Sequence, residues 1–85
     1  MQRTGTVAAI NPKRGMVAIA TEDDGYTIIE LLSSWDIEVG DTLLWRNGHG
    51  LGSEIYENVS KKTEAEVYVQ NHSVAKNILD SQLRL

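Results

Sequence analysis

The stretch from Gly5 to Ile19 decides the fold, and it reads GTVAAINPKRGMVAI. Two short apolar runs, residues 7–10 and 16–20, flank the turn-forming segment NPKRG. Pro12 fixes φ and has no N–H, and Gly15 can take a positive φ, so this segment suits a turn and not a central strand. The stretch therefore predicts two antiparallel strands joined by a turn.

Three more strands are predicted downstream, at residues 26–29, 41–46 and 53–59. Two-residue alternation places Leu43 and Trp45 on one face, which predicts Trp45 in the core and leaves Tyr56 as a candidate surface aromatic. Residues 32–38 have no clear period and form the crossover. Trp35 in that crossover has two interpretations, a cap on one end of the barrel or an exposed anchor for a partner.

Five short strands with a long connection after the third predict an all-β fold, a small five-stranded Greek-key barrel of the OB type over residues 3–60. Residues 61–85 form a C-terminal extension, in which residues 65–69 alternate weakly and can add a short strand. A C-terminal α-helix is predicted over 73–83, with an apolar stripe of Val74, Ile78 and Leu79 that also includes Ala75 and Leu83. An isolated helix this short is marginal, so it should dock, either on its own barrel or on a second chain.

Composition narrows the function classes. The 85 residues allow one small domain, and there is no Cys for a disulfide or a thiolate. No apolar run approaches transmembrane length and no secretory signal opens the chain, so we expect a cytoplasmic protein with no membrane partner. His49 and His72 lie in a Gly-rich turn and at the predicted helix start, without metal-ligand spacing. We therefore expect no enzyme activity, no metal and no cofactor.

Charge argues against strong nucleic-acid binding, because the formal net charge is -4 at pH 7. The distribution is uneven, however. Residues 1–20 contain Arg3, Lys13 and Arg14 and no acidic residue. The distribution therefore also allows an acidic domain with one basic end.

The first hairpin resembles the start of a cold-shock domain, whose pattern is Gly-x-Val-Lys-Trp-Phe-Asn-x-x-Lys-Gly-Phe-Gly-Phe-Ile. The matching positions are Gly5, Val7, Asn11, Arg14, Gly15 and Ile19. Further similarity lies at residues 39–41, at residues 43–45 and in the Gly-rich segment 48–59. The resemblance covers residues 3–60 and implies an OB barrel that binds single-stranded RNA or DNA on the sheet of its first three strands.

The chain departs from that pattern at the residues that would stack on bases. The family's Lys-Trp is Ala8-Ala9 here, its Gly-Phe-Gly-Phe is residues 15–18 (GMVA), and the chain has no Phe. Because each stacked base contributes about 1–3 kcal/mol, binding to RNA or DNA is expected to be weak. The predicted site has basic residues at the phosphates and apolar residues beneath the bases: Arg3, Lys13 and Arg14, then Met16 and Ile28.

The alternative function is a barrel that has lost nucleic-acid binding. It would serve as a protein-interaction or oligomerisation module and contact a protein partner, or a second copy, through the sheet face or the C-terminal helix. The sequence leaves both functions open.

Overall fold

The computed structural model describes residues 2–33 and 36–83. Six strands are followed by a short helical segment that begins as a 3₁₀ turn. The strands are β1 (Arg3–Asn11), β2 (Met16–Ala20), β3 (Tyr26–Leu31), β4 (Thr42–Trp45), β5 (Gly52–Asn58) and β6 (Thr63–Val74); the 3₁₀ turn is Lys76–Ile78 and α1 is Leu79–Leu83.

The strands form a closed barrel in the order β1-β2-β3-β6-β5-β4, and every neighbouring pair is antiparallel. The prediction of an all-β barrel with a short C-terminal helix is confirmed, but the predicted strand number of five is wrong. A closed ring in which all neighbours run antiparallel needs an even number of strands. The sixth strand satisfies this condition, because β6 returns beside β5 and closes against β3.

That sixth strand, β6, is the longest of the six and lies in the segment predicted as an extension. Ala65, Val67 and Val69 point into the barrel and are buried. Glutamates and a tyrosine occupy the positions between them, which weakens the apolar signal in the sequence. The barrel therefore continues past residue 60 to residue 74.

The first hairpin forms where the sequence predicted it, with Gly15 at φ 67° in the turn. A β-bulge at Ala8 shifts the register of β1 against β2. The first half of β1 also pairs with β4, from Arg3 opposite Trp45 to Thr6 opposite Thr42. β1 thus connects the sheet of β1, β2 and β3 to the sheet of β4, β5 and β6, because it pairs with β2 on one side and with β4 on the other.

The barrel interior is apolar and centres on two aromatic rings. Trp45 and Tyr56 stack with centroids 4.7 Å apart and planes 4° apart. The predicted placement of Trp45 in the core is confirmed, and Leu43 is buried on the same face as predicted. Tyr56 is not a surface aromatic, because its inward position on β5 buries it against Trp45. Trp35, the predicted cap or anchor, lies outside the described residues.

A second apolar cluster lies outside the barrel, on the outer face of β2 and β3. Its buried members are Met16, Ala18, Ile28, Val74 and Leu83. Asn11 Nδ2 also donates a hydrogen bond of 2.7 Å to the Leu83 carbonyl, which fixes the end of α1 beside β1.

The C-terminal segment thus docks on its own barrel, which is the first of the two predicted alternatives. The prediction is wrong in two details. Residues 73–74 belong to β6 and not to the helix. Ile78 faces solvent and is 43% exposed, whereas the predicted Val74 and Leu79, together with Leu83, do make the apolar contact. The 3₁₀ turn that precedes α1 rotates the stripe, so an α-helical spacing counted from Val74 selects the wrong residue.

No helix within residues 2–33 and 36–83 is long and apolar enough to cross a membrane.

Candidate functional site

The predicted nucleic-acid residues do not form one site. Arg3 begins β1, whereas Lys13 and Arg14 lie in the turn after its last residue, so the length of the strand separates them. Lys13 and Arg14 are exposed in that turn. Arg14 lines a shallow groove together with Met16, Glu30 and Gln70, so the groove beside this predicted phosphate contact also contains a carboxylate.

Arg3 is held in a polar cluster at the other end of the barrel, formed by Arg3, Asp24, His49, His72 and Ser73. Its guanidinium Nη2 lies 3.3 Å from Asp24 Oδ2, and its side chain is only 13% exposed. The sequence reasoning missed this cluster, because its members come from four separate segments that meet only when the barrel closes. Arg3 is therefore committed to a carboxylate of its own chain.

Asp24 is the centre of the polar cluster. It accepts hydrogen bonds from His49 Nε2 at 2.6 Å and from Ser73 Oγ at 2.8 Å. These bonds, that from His49 first, lower the pKa of Asp24 below its ordinary value of 3.8. Since His49 and Ser73 both bond to Asp24 and not to each other, the cluster lacks the serine–histidine bond that activates a nucleophile.

His72 fastens the end of β6 to two neighbouring segments. Its Nδ1 lies 2.9 Å from Thr27 Oγ1, and its Nε2 lies 3.0 Å from the Gly50 carbonyl oxygen. The ring also meets His49 edge to face, with centroids 5.3 Å apart. Both ring nitrogens of His72 are thus engaged within the chain, and residues 2–33 and 36–83 contain no group of three His, Cys, Asp or Glu side chains placed to hold a metal ion.

A second ionic contact fastens the opposite end of the barrel. Asp41, before β4, accepts hydrogen bonds of 2.8 Å from both Lys61 Nζ and Asn58 Nδ2. The bond from Lys61 is the main reason that the pKa of Asp41 falls from 3.8 to about 2. Lys61 lies 3.2 Å from Glu38 as well, so this cation is also engaged by its own chain.

The two residues predicted to lie beneath bases are covered. Met16 is buried and Ile28 is completely so, because the segment after β6 packs on them through Leu79 and Leu83. We call the outer surface of Met16, Ala18 and Ile28 the covered face. In this conformation it presents no side chain on which a base could stack.

In contrast to the covered face, the outer surface of β5 and β6 is exposed, and sequence reasoning did not identify it. Its outward-pointing side chains, which we call the glutamate face, are those of Ser53, Ile55, Glu57, Glu64, Glu66 and Tyr68. Ile55 and Tyr68 are 51% and 45% exposed, which is high for large apolar side chains in the middle of strands. The signal in the sequence is the alternation of Glu64, Glu66 and Tyr68 with the buried positions of β6.

Comparison with protein-family models, with curated proteins and with solved structures found no match to this chain.

Proposed function

We propose that this barrel is a protein-interaction module. The observation that carries the proposal is the burial of Met16 and Ile28 beneath the chain's own C-terminal segment. Apolar side chains that are packed inside a second core contribute to stability and are not available to a ligand. The sheet that the cold-shock resemblance assigns to bases is therefore occupied from within.

The disposition of charge supports the same conclusion. Arg3 and Lys61 pair with Asp24 and Asp41, and Arg46 lies 2.9 Å from Glu57. Nucleic-acid affinity depends on cations that are free to replace the counterions of phosphates. An acidic chain in which three of the eight Lys and Arg residues are engaged by the chain's own carboxylates is a poor electrostatic match for a polyanion.

The second candidate function is weak binding of single-stranded RNA or DNA, and one observation favours it. Lys13 and Arg14 are both exposed in the β1–β2 turn, within the segment that resembles the cold-shock pattern. With so few phosphate contacts, the salt dependence should be shallow, about -0.7 in logarithmic slope for each contact. The two functions thus differ in whether the basic β1–β2 turn contacts the ligand.

A titration of isotope-labelled protein with oligo-dT and oligo-U at low salt separates the two functions. We expect no concentration-dependent shift of the amides in residues 12–15 or in β2 and β3. A matched titration of the double variant Leu79→Ser/Leu83→Ser tests the role of the cover, since these changes weaken its packing without adding charge.

The proposal of an interaction module fails if the unmodified protein binds either oligonucleotide through those amides and Lys13→Glu/Arg14→Glu removes the binding. Binding that appears only in the Leu79→Ser/Leu83→Ser variant would show that the cover, and not the charge, excludes nucleic acid.

A further inference from the structure

We infer that the glutamate face binds a lysine- and arginine-containing segment of a partner protein, with Ile55 as its apolar contact. This inference rests on the proposed function and specifies its surface and its ligand. It depends on three properties of β5 and β6: uncompensated negative charge, exposed apolar side chains within the same surface, and continuous backbone pairing between the two strands.

The negative charge arises from carboxylates placed opposite one another. Glu57 and Glu64 are direct cross-strand partners, and like charges in that arrangement repel. Arg46 compensates Glu57 at 2.9 Å. Among the described residues, the side chains of Glu64 and Glu66 make no ion pair, although Lys62 lies in the adjoining turn beside Glu64. A cation from a partner would relieve this repulsion.

Exposed apolar side chains surround Glu66. Ile55 lies directly across from it, and Tyr68 is diagonal to Ile55 on the same face. Leu32, which is 51% exposed, is held beside Glu66 by its N–H, which donates a 2.9 Å hydrogen bond to the Glu66 carbonyl oxygen. Apolar side chains set among unpaired carboxylates suit a ligand that carries both apolar and basic groups.

Two shallow depressions of the glutamate face both include Ile55 in their linings. One shallow depression of about 530 Å³ is lined by Ile55, Arg46, Glu57 and Glu64. Another, of about 370 Å³, is lined by Ile55, Leu32 and Glu66. Both are large enough to receive a lysine or arginine side chain, and each has a glutamate at its wall. Ile55 therefore lies between two places where a cation can approach a carboxylate.

The backbone pairing beneath the glutamate face determines how such a segment binds. β6 pairs with β3 on one side and with β5 from Gly52 to Asn58 on the other, so the backbone groups between the two strands of this face are already paired. Recognition on this face therefore comes from side chains. A phosphate-bearing ligand is repelled by the same glutamates, so the complementary ligand is a basic protein segment.

The test uses a short synthetic peptide that carries lysine, arginine and leucine, titrated into the isotope-labelled full chain at low and moderate salt. Two control peptides have glutamate in place of the basic residues or glycine in place of leucine. We expect shifts in β5, β6 and residue 32, with binding that weakens as salt is raised. Neither control peptide should bind comparably.

Two variants and a matched control locate the contact. Glu64→Gln/Glu66→Gln should weaken peptide binding about tenfold, because two exposed ion pairs with the peptide are lost. Glu22→Gln/Asp23→Asn makes the same change of charge in the exposed β2–β3 turn and should have little effect. Ile55→Thr, which keeps a β-branched side chain in the strand, should also weaken binding several-fold while the melting temperature stays close to that of the parent.

The outcomes separate this inference from the proposed function. If the basic peptide fails to bind, binds through the β1–β2 turn, or is insensitive to the changes at Glu64, Glu66 and Ile55, the inference is overturned. None of these results makes the protein a nucleic-acid-binding domain, which only the oligonucleotide titration can do. Self-association that blocks the peptide and is removed by Ile55→Thr would also overturn it, since the occupant would then be a second copy.

Discussion

Replacing Leu83 by alanine should destabilise the protein far more than the same change at Ile78. Leu83 is 1% exposed in the outer cluster, whereas Ile78 is 43% exposed. Full burial of a leucine side chain stabilises by about 1.5–3 kcal/mol. Because α1 lies on the surface and can settle after truncation, we expect about 2 kcal/mol for Leu83→Ala, at the low end for buried leucines. For Ile78→Ala we expect about 0.5 kcal/mol or less.

Thermal unfolding and urea titration measure both values. In a domain of this size, 1 kcal/mol corresponds to roughly 4–8 °C, so Leu83→Ala should lower the melting temperature by about 8–16 °C. Trp45 in the barrel core provides a fluorescence signal for the urea titration. Equal losses for the two variants, or a stability unchanged by Leu83→Ala, would refute the docking of the C-terminal segment on β2 and β3.

Three further changes test the two ends of the barrel and its core. The bond from Lys61 lowers the pKa of Asp41 from 3.8 to about 2. The ionised Asp41 therefore contributes its full stabilisation of the folded state above pH 3.8, and this contribution is lost as the pH falls through about 2. In an acid titration followed by circular dichroism, the Asp41→Asn variant should lose less of its stability between pH 3.8 and about 2 than the parent protein loses. Burial raises the pKa of Tyr56 above its ordinary 10.0, so stability should fall as pH rises past that value, and Tyr56→Phe should reduce the fall in alkaline urea titrations. Gly25→Ala should destabilise by about 1–2 kcal/mol more than Gly40→Ala, because a Cβ at Gly25 would lie 2.6 Å from a carbonyl oxygen while the one at Gly40 meets open space. Equal unfolding energies for the two glycine variants would contradict the close packing at Gly25.

The first hairpin could be predicted from sequence because its determinants are local. Pro12 and Gly15 specify a turn, and the apolar runs beside it can pair without knowledge of the rest of the chain. The same locality explains why the alternation of Leu43 and Trp45 identified the core side of β4. These features depend on residues that are neighbours in the chain.

β6 was predicted only in part, as a short strand over residues 65–69, and the glutamate face was not predicted. The full length of β6 depends on its pairing with β3, more than thirty residues earlier in the chain. The polar cluster around Asp24 likewise assembles only when the barrel closes. Long-range pairing decides these features, and a window along the sequence does not contain it.

The covered face did leave a signal in the sequence. Residues 16–20 read MVAIA, with no polar residue on either side of the strand. A strand with one solvated face alternates, whereas a continuous apolar run is typical of a strand buried on both faces. In the structure, Met16 and Ala18 point outward and are buried, while Val17 and Ile19 fill the barrel. The unbroken apolar run of β2 therefore reflects the outer cover as well as the barrel core.

That cover also limits any ligand that needs the face beneath it. Exposing Leu83 alone costs about 1.5–3 kcal/mol, so the uncovered state is populated at roughly 0.6–8%. The apparent affinity of such a ligand falls in proportion to that population, by about 12-fold to 160-fold. The glutamate face requires no rearrangement, because Ile55 and Tyr68 are already exposed. If the two intrinsic affinities are comparable, a basic protein segment would therefore bind the glutamate face at concentrations at which a base-stacking ligand remains unbound. This difference is the energetic reason for proposing protein recognition by this chain.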